Sequence, residues 1–172
     1  MQAITCLLTG KRVLAYCLRM RAANGSDFVY VTFIRTTSSK LWEALTEPQF
    51  TRRYWFGMTF QCSWEKGSSW HIVGPAGAVY DRGEILEIDP QRRLVIHWTN
   101  EWKPELKAEG PSRCTFELQP VDSSVKLTVT HEIEQQESKL IAAVSAAWPL
   151  TLSNLKSLLE TNEVAVTTHP GH

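Results

Sequence analysis

Residues 138–160 of the chain read SKLIAAVSAAWPLTLSNLKSLLE, and the spacing of their apolar side chains indicates an α-helix. Apolar residues recur at steps of three and four, which places them on one face of a helix. These positions are Ile141, Val144, Trp148, Leu152, Leu155 and Leu159. Because an amphipathic helix gains most of its stability from packing, the rest of the chain should supply a large apolar surface for it.

Pro149 lies in the middle of this stretch and is expected to interrupt the helix. A proline inside a helix removes one backbone hydrogen bond and clashes with the preceding turn, at a cost of about 3 kcal/mol. At the first position of a helix, proline is well tolerated. The sequence therefore predicts a short helix near residues 138–145, a break, and a main helix from Pro149 to about Glu160.

Most of the chain before the C-terminal helix has the composition of β-strands. Aromatic and β-branched residues fill segment 28–35, and segments 112–119 and 125–134 alternate apolar with polar side chains. Segments 40–45 and 49–55 have the pattern of two short helices after the first strand. Six further strands in a meander and the long helix follow. We expect an α+β fold in which a seven-stranded antiparallel sheet curves around the C-terminal helix.

The composition is typical of one packed domain with many tryptophans. The chain has 172 residues, of which 43% are hydrophobic and seven are tryptophan, and its formal net charge is zero. Residues 27–172 carry more acidic than basic side chains, which argues against nucleic acid as a partner. No run of about 18 apolar residues is present, so no membrane span is expected. The four cysteines form no Cys-x-x-Cys motif, which favours a reducing, cytoplasmic location.

The first 26 residues differ in charge from the rest of the chain. They hold four basic side chains and no acidic one, and segment 24–26 (NGS) is typical of a linker. We expect residues 1–26 to be an N-terminal extension or linker outside the fold. Two alternatives stay open, a transit sequence and an upstream start with Met20 as the true first residue. Residues 27–163 would form the folded domain, and residues 164–172 a flexible tail.

Five segments of the sequence together resemble a known family. They are 28–35 (FVYVTFIR), 40–48 (KLWEALTEP), 83–94 (GEILEIDPQRRL), 127–132 (LTVTHE) and 148–160 (WPLTLSNLKSLLE). These segments are similar to the START and birch-pollen-allergen superfamily, also called SRPBCC. Within it, they resemble the group named for the activator of the ninety-kilodalton heat-shock-protein ATPase.

This resemblance implies a fold and a cavity, but it does not imply one activity. Members of the superfamily have the helix-grip fold, in which a ligand cavity lies between the sheet and the final helix. Some members bind lipids, hormones or polyketides, and others are cyclases or resistance proteins, so the fold alone does not define function. The name of the resembled group adds a chaperone or another protein as a partner.

Aromatic side chains are the best candidates for the walls of such a cavity, because pockets for apolar molecules combine aromatic walls with a few polar groups. The candidate ligand-binding residues are Phe60, Trp70, Tyr80, Trp98, Asn100, His131 and Trp148. Ordinary core packing is the alternative for each aromatic residue. A buried polar group without a partner costs about 1–3 kcal/mol. We therefore expect water or a ligand to satisfy His131 and Asn100.

The histidines and acidic residues do not predict a metal centre or a catalytic site. A catalytic metal needs about three converging ligands, whereas strand alternation places His131 inward and His97 outward. Asp81 and Glu84 are expected on a solvent-exposed strand. No motif of a serine hydrolase, phosphate-binding loop or metalloprotease occurs, so neither a metal nor another cofactor is expected.

The first functional hypothesis is a non-enzymatic protein that holds an apolar or aromatic small molecule between the sheet and the C-terminal helix. The alternative is an interaction module for a chaperone or another protein, and the second alternative is a cyclase- or hydrolase-like enzyme that uses His131. A binder should keep a cavity of about 300 Å³ or more. An interaction module should have a filled interior and an exposed apolar patch.

Removing the extension before Ser26 should leave the rest of the chain folded, because the charge of this segment and its NGS end separate it from the domain. A thermal melt of the chain starting at Ser26 is expected to keep a single cooperative transition. Loss of cooperative unfolding would show that the extension belongs to the core.

Overall fold

The computed structural model describes residues 25–168, so almost all of the predicted extension and the last four residues of the predicted tail lie outside it. The elements in chain order are β1 (Ser26–Ile34), α1 (Ser38–Thr46), α2 (Pro48–Tyr54), β2 (Thr59–Cys62), β3 (Ser69–Val73), β4 (Val79–Asp89), β5 (Arg93–Asn100), α3 (Pro104–Lys107), β6 (Ser112–Val121), β7 (Ser124–Ile133) and α4 (Lys139–Thr161). None of these helices is both long enough and apolar enough to cross a membrane.

The strands form one seven-stranded sheet in the order β1-β7-β6-β5-β4-β3-β2. Every neighbouring pair is antiparallel. Strands β2 to β7 are therefore a meander, and β1 joins it beside β7. The predicted α+β fold is confirmed, including the two short helices after the first strand and the long helix against the sheet.

Side chains alternate between the inner face of the sheet, which packs on α4, and the outer face. Along β7 every second residue is buried, and His131 belongs to the buried set together with Val129 and Ile133. Trp148, Leu152 and Leu155 of α4 are also buried. They pack in the same apolar core as the inner face of the strands. This packing positions His131 beneath α4, as the alternation predicts.

The predicted break at Pro149 is wrong, because α4 is one helix from Lys139 to Thr161 with Pro149 inside it. Pro149 has no N–H to donate, so the carbonyl of Ser145 loses its usual partner within the helix. The helix continues because Trp148 and Leu152, on either side of the proline, are both buried in the core. Burial of such large side chains offsets a penalty of about 3 kcal/mol.

Residues outside α4 fix its first turn. Ser138 is the N-cap, and its Oγ accepts a hydrogen bond from the backbone N–H of Ile141 at 3.0 Å. The carboxylate of Glu109 accepts hydrogen bonds from the Lys139 and Leu140 N–H groups at 2.9 and 3.1 Å. A negative side chain at this position complements the partial positive charge of the helix N-terminus. The start of α4 is thus tied to the loop after α3.

Gly83 permits a close contact between neighbouring strands. The Trp70 indole Nε1 donates to the carbonyl oxygen of His97 at 3.1 Å, across the position of Gly83. A Cβ atom at Gly83 would lie 1.7 Å from that oxygen and 2.9 Å from Trp70 Nε1. Only glycine therefore allows the Trp70 indole to reach β5.

Leu155→Ala should destabilise the protein by about 2–5 kcal/mol, the usual range for truncating a buried leucine. Leu155 has no exposed surface and lies in the middle of the apolar face of α4. The measurement is the free energy of unfolding from chemical denaturation.

Leu150→Ala is the matched control, because Leu150 lies on the same helix but is only half-buried. We expect its free energy of unfolding to change by less than about 1 kcal/mol. Equal effects of the two substitutions would contradict the described packing of α4.

Candidate functional site

The inner face of the sheet meets α4 in a cluster of aromatic rings. Trp98 of β5, His131 of β7 and Trp148 of α4 are all buried. Their ring centroids lie 5.5 Å apart for Trp98 and His131, 5.8 Å for Trp98 and Trp148, and 6.4 Å for His131 and Trp148. The structure therefore brings together three of the residues that the sequence predicts as ligand-binding.

Two more of the predicted residues extend this cluster toward β2. Trp70 is fully buried, and its ring lies 4.8 Å from Trp98 and 4.9 Å from Phe60. Tyr80 instead stacks on Trp102, with centroids 4.6 Å apart. Trp102 is 51% exposed, whereas Tyr80 is half-buried. Phe60 and Trp70 thus continue the inner wall, whereas Tyr80 pairs with a solvent-exposed ring outside the cluster.

His131 is held in one tautomer by two partners. Trp148 Nε1 donates to His131 Nδ1 at 3.3 Å, and since an indole N–H is only a donor, Nδ1 carries no proton. Nε2 therefore carries the proton and donates to Ser112 Oγ at 2.7 Å. Ser112 Oγ donates in turn to the Trp98 carbonyl at 3.3 Å. Burial lowers the pKa of His131 to about 4, so the ring is neutral at pH 7.

Asp81 is a polar member of the inner face that the sequence analysis assigned to solvent. It lies opposite Asn100 in the β4–β5 register and shares the inward alternation of buried Ile85. Its Oδ1 accepts hydrogen bonds from Trp98 Nε1 at 2.9 Å and from Asn100 Nδ2 at 2.8 Å. The expected solvated position is wrong, and alternation from Ile85 was the signal that could have shown it.

Burial raises the pKa of Asp81 to about 6, because a carboxylate loses hydration there. The hydrogen bonds from Trp98 and Asn100 oppose this shift, and the nearby charge of Glu101 adds to it. A carboxyl group with a raised pKa beside an aromatic cluster is typical of functional sites. It gives the inner face an acid that changes charge close to neutral pH.

Protein groups satisfy both predicted polar residues of the site. His131 has Trp148 and Ser112 as partners, as described above. Asn100 donates to Asp81, and its Oδ1 accepts from the Lys103 N–H at 2.9 Å. The expectation that water or a ligand must satisfy these two residues is therefore wrong.

Trp55 covers the aromatic cluster on the side of α2. It follows α2 directly, is only half-buried, and its ring centroid lies 6.3 Å from Trp98 and 5.4 Å from Trp148. The next residues, Phe56 and Gly57, have positive φ angles of 50° and 83°. The sequence placed Trp55 at a helix end but did not assign it to the site, because only the turn after α2 brings it over the cluster.

The enclosed space beneath Trp55 is small. Apolar side chains line it, namely Leu45, Tyr54, Trp55, Phe60, Leu94, Phe116, Trp148 and Leu152. Its volume of about 10 Å³ is barely enough for one water molecule. The expected cavity of several hundred cubic ångströms is therefore not open here, because Trp55 and its neighbours fill the space.

The described histidines and carboxylates do not cluster. Across residues 25–168 there is no group of three or more His, Cys, Asp or Glu side chains that could hold a metal ion. His131 and Asp81 are both linked to Trp98, His131 through Ser112 and the Trp98 carbonyl and Asp81 through the Trp98 indole. Within the described residues, His131 and Asp81 are thus each linked to Trp98 and not hydrogen-bonded to each other.

A curved antiparallel sheet closed by one long helix, with an aromatic cluster between them, defines a helix-grip protein. The family model described as "Activator of Hsp90 ATPase homolog 1-like protein" matches residues 35–160, and the chain belongs to this family. No curated protein is similar enough to be a match.

Several solved structures share the fold. CalU16 from Micromonospora echinospora is 20% identical with a TM-score of 0.63, and the match covers 79% of this chain and 77% of that one. Protein MLL2253 from Mesorhizobium loti is 23% identical with a TM-score of 0.65, with coverage of 78% and 96%. An HSP90 activator from Plasmodium falciparum is 20% identical with a TM-score of 0.63, with coverage of 77% and 95%.

Asp81→Asn should stabilise the protein above pH 6 and have little effect below about pH 4. The folded state binds the Asp81 proton more tightly than the unfolded state, so ionisation of Asp81 destabilises the fold. This loss of stability grows from about pH 4 to about pH 6 and is complete above pH 6. A raised pKa of about 6 sets the upper limit of the gain at about 3 kcal/mol, and contact with solvent reduces it. Urea unfolding between pH 4 and pH 8 measures the difference.

Glu84→Gln is the control, because Glu84 is exposed on the same strand. Its stability should follow the wild type across the pH range. Loss of stability in Asp81→Asn at pH 7 would contradict the description of Asp81 as a destabilising buried acid.

Proposed function

We propose that the chain is a non-enzymatic binding protein whose ligand is a planar, apolar small molecule that takes the place of Trp55 over Trp98 and Trp148. The observation that carries this proposal is the position of Trp55. A half-exposed aromatic ring covers two buried ones and closes a space of about 10 Å³. Outward movement of Trp55 would leave a site of about the size of an indole, with aromatic walls.

The turn after α2 supports this movement. Positive φ angles at Phe56 and Gly57 place the chain directly after Trp55 in a conformation that few residues adopt. Glycine reaches many backbone conformations at low cost, so a change at Gly57 can move the Trp55 ring. The buried rings of Trp98 and Trp148 are fixed by their hydrogen bonds to Asp81 and His131. In the proposed site, the ring of Trp55 can therefore move, whereas the rings of Trp98 and Trp148 are held in place.

Asp81 and Asn100 would recognise a polar group at one end of the ligand. Asp81 Oδ1 accepts the hydrogen bonds from Trp98 and Asn100, so Oδ2 would accept a hydrogen bond from a ligand N–H or O–H. A few polar groups at fixed positions are what orients a ligand in an apolar site. A planar aromatic molecule with one hydrogen-bond donor therefore fits this surface.

The arrangement of His131 favours binding over catalysis. Both ring nitrogens are engaged, Nδ1 by Trp148 and Nε2 by Ser112, and the pKa of about 4 makes the ring a weak base. A general base must reach the proton that it removes and should have a pKa near the working pH. His131 thus supports the position of Trp148, and the cyclase- or hydrolase-like alternative loses its candidate base.

A second candidate function is protein binding, and the surface aromatic pair favours it. Trp102 is 51% exposed, stacks on Tyr80, and Val79 beside Tyr80 is 41% exposed. Tryptophan and tyrosine are common in the energetic centres of protein interfaces. The partner would be a chaperone or another protein, in line with the family to which the chain belongs and with its similarity to the HSP90 activator from Plasmodium falciparum.

A cytoplasmic location stays a prediction. Among residues 25–168, Cys62 and Cys114 form no disulfide, and Cys114 is fully buried. Unpaired cysteines support a reducing compartment.

Planar aromatic molecules such as 1-naphthol should change the tryptophan fluorescence of the protein in a saturable way. Trp55→Ala should bind them about tenfold more tightly, because no ring has to leave two aromatic contacts of about 0.5–1.5 kcal/mol each. Trp98→Leu or Trp148→Leu should lower the stability of the domain and weaken binding, and circular dichroism checks that each variant is folded. The measurement is a fluorescence titration of each variant.

Trp102→Ala is the matched control, since Trp102 is an aromatic residue outside the cluster. Its ligand affinity should equal that of the wild type. If neither the wild type nor Trp55→Ala shows saturable binding, the small-molecule proposal is wrong and the protein-binding function replaces it.

A further inference from the structure

The segment that follows α4 is held against this helix by a buried asparagine. Asn154 of α4 is 1% exposed, and its side-chain amide contacts the backbone of Val166 in both directions. Its Nδ2 donates to the Val166 carbonyl at 2.8 Å, and its Oδ1 accepts from the Val166 N–H at 2.8 Å. We call residues 162–166 the C-terminal strap, because these paired contacts fix both the position and the direction of its backbone.

The same asparagine also contacts the end of α2. Asn154 Nδ2 donates a second hydrogen bond to the Tyr54 carbonyl at 3.3 Å. An asparagine amide has two N–H donors and one carbonyl oxygen, and all three are engaged here. Because a buried polar group without a partner is costly, the three contacts support one another. The C-terminal strap and the end of α2 are therefore linked through one side chain.

Arg53 makes a second link between the C-terminal strap and α2. Its Nη2 donates to the backbone carbonyl and to Oδ1 of Asn162, each at 2.9 Å. Asn162 is the C-cap of α4, and its own N–H donates to the Leu158 carbonyl at 2.9 Å. Val164 lies between the two linked residues of the strap and packs against the apolar core. Both ends of the strap are thus joined to the last two residues of α2.

These links end directly before Trp55. Tyr54 is the last residue of α2, and its carbonyl belongs to the planar peptide bond that joins it to Trp55. The hydrogen bond from Asn154 holds this plane, and with it the direction in which the chain leaves α2. On its other side, Trp55 is followed by the turn with positive φ angles at Phe56 and Gly57. Trp55 is therefore anchored on the side of α2, where the C-terminal strap supplies the contacts.

We propose that the C-terminal strap is a latch that keeps Trp55 closed over Trp98 and Trp148, and that its release lets the Trp55 ring move outward. This regulation rests on the binding function proposed above, because that function requires Trp55 to move. Loss of the contacts at Val166 or Asn162 frees the end of α2 and leaves the two rings that form the wall of the site in place. Since such coupling is reciprocal, a ligand that displaces Trp55 also loosens the strap.

Hydrogen exchange of the tryptophan indole N–H groups, measured by NMR on the full chain without ligand, tests the latch. In Val166→Pro, the backbone N–H that donates to Asn154 is absent. The Trp55 indole should then exchange about fivefold faster than in the wild type, which is the effect of losing one ordinary hydrogen bond. The Trp98 and Trp148 indoles should stay protected, because both donate buried hydrogen bonds.

Two control variants separate the latch from other effects of substitution. Val166→Ala shortens the side chain but keeps the backbone N–H, so its Trp55 indole should exchange as in the wild type. Arg53→Ala removes the second link and should accelerate exchange as well. Arg52→Ala is its control, because Arg52 is a neighbouring exposed arginine on the same helix. Since Arg53 is exposed too, Arg53→Ala replaces Val166→Pro if circular dichroism shows that the proline variant does not fold.

Ligand kinetics show whether the latch acts through Trp55. The association rate constant of 1-naphthol, measured by stopped-flow tryptophan fluorescence, should rise about fivefold in Val166→Pro, because the fraction of open molecules rises by that factor. In Trp55→Ala, the same proline substitution should change this rate constant by less than about twofold, since no ring remains to be held. A strap with only a structural role would change binding equally with and without the Trp55 ring.

Two results would overturn the latch. One is Trp55 indole exchange at the wild-type rate in the folded strap variants, and the other is an equal effect of Val166→Pro on binding in the presence and absence of the Trp55 ring. Failure of the binding function looks different, because neither the wild type nor Trp55→Ala would then bind 1-naphthol. The exchange measurement needs no ligand, so it tests the latch in that case as well.

Discussion

The hydrogen bond from the Trp148 indole to His131 Nδ1 joins α4 to the middle of the sheet, and the interior is arranged around it. It is a polar contact inside an apolar core, so it requires a neutral histidine, one tautomer and one orientation of each ring. Ser112 of β6 accepts a hydrogen bond from His131 Nε2 and donates one to the Trp98 carbonyl on β5. Through this chain of contacts, the helix and three strands hold one another in register.

The hydrogen bonds of the tryptophan indoles also explain why the interior is closed. Trp98 and Trp148 donate hydrogen bonds to Asp81 and His131, so neither ring can move without breaking one of them. Trp55 has ring contacts with both but lies at a helix end and remains half-exposed. In the proposed function, a ligand would replace the contacts that the Trp55 ring makes with Trp98 and Trp148.

The fold could be predicted from sequence because alternation of apolar and polar residues fixes the inner face of each strand, as β7 shows with Val129, His131 and Ile133. The helix break at Pro149 was wrongly expected, because local propensity did not include the burial of Trp148 and Leu152. Alternation also places Trp98 and His131 inward, and both are buried in the structure.

The remaining features of the site depend on contacts between distant segments. Alternation from Ile85 could have placed Asp81 on the inner face, but its hydrogen-bond partners follow only from the β4–β5 register. Trp55 reaches the cluster only through the turn after α2. The most direct test of Trp55 as a displaceable cover is two-dimensional NMR of the tryptophan indole N–H groups during titration with 1-naphthol. At saturation, the Trp55 signal should move and exchange rapidly with water, while the Trp98 and Trp148 signals stay protected. A saturated complex in which the Trp55 signal keeps its position would contradict the account.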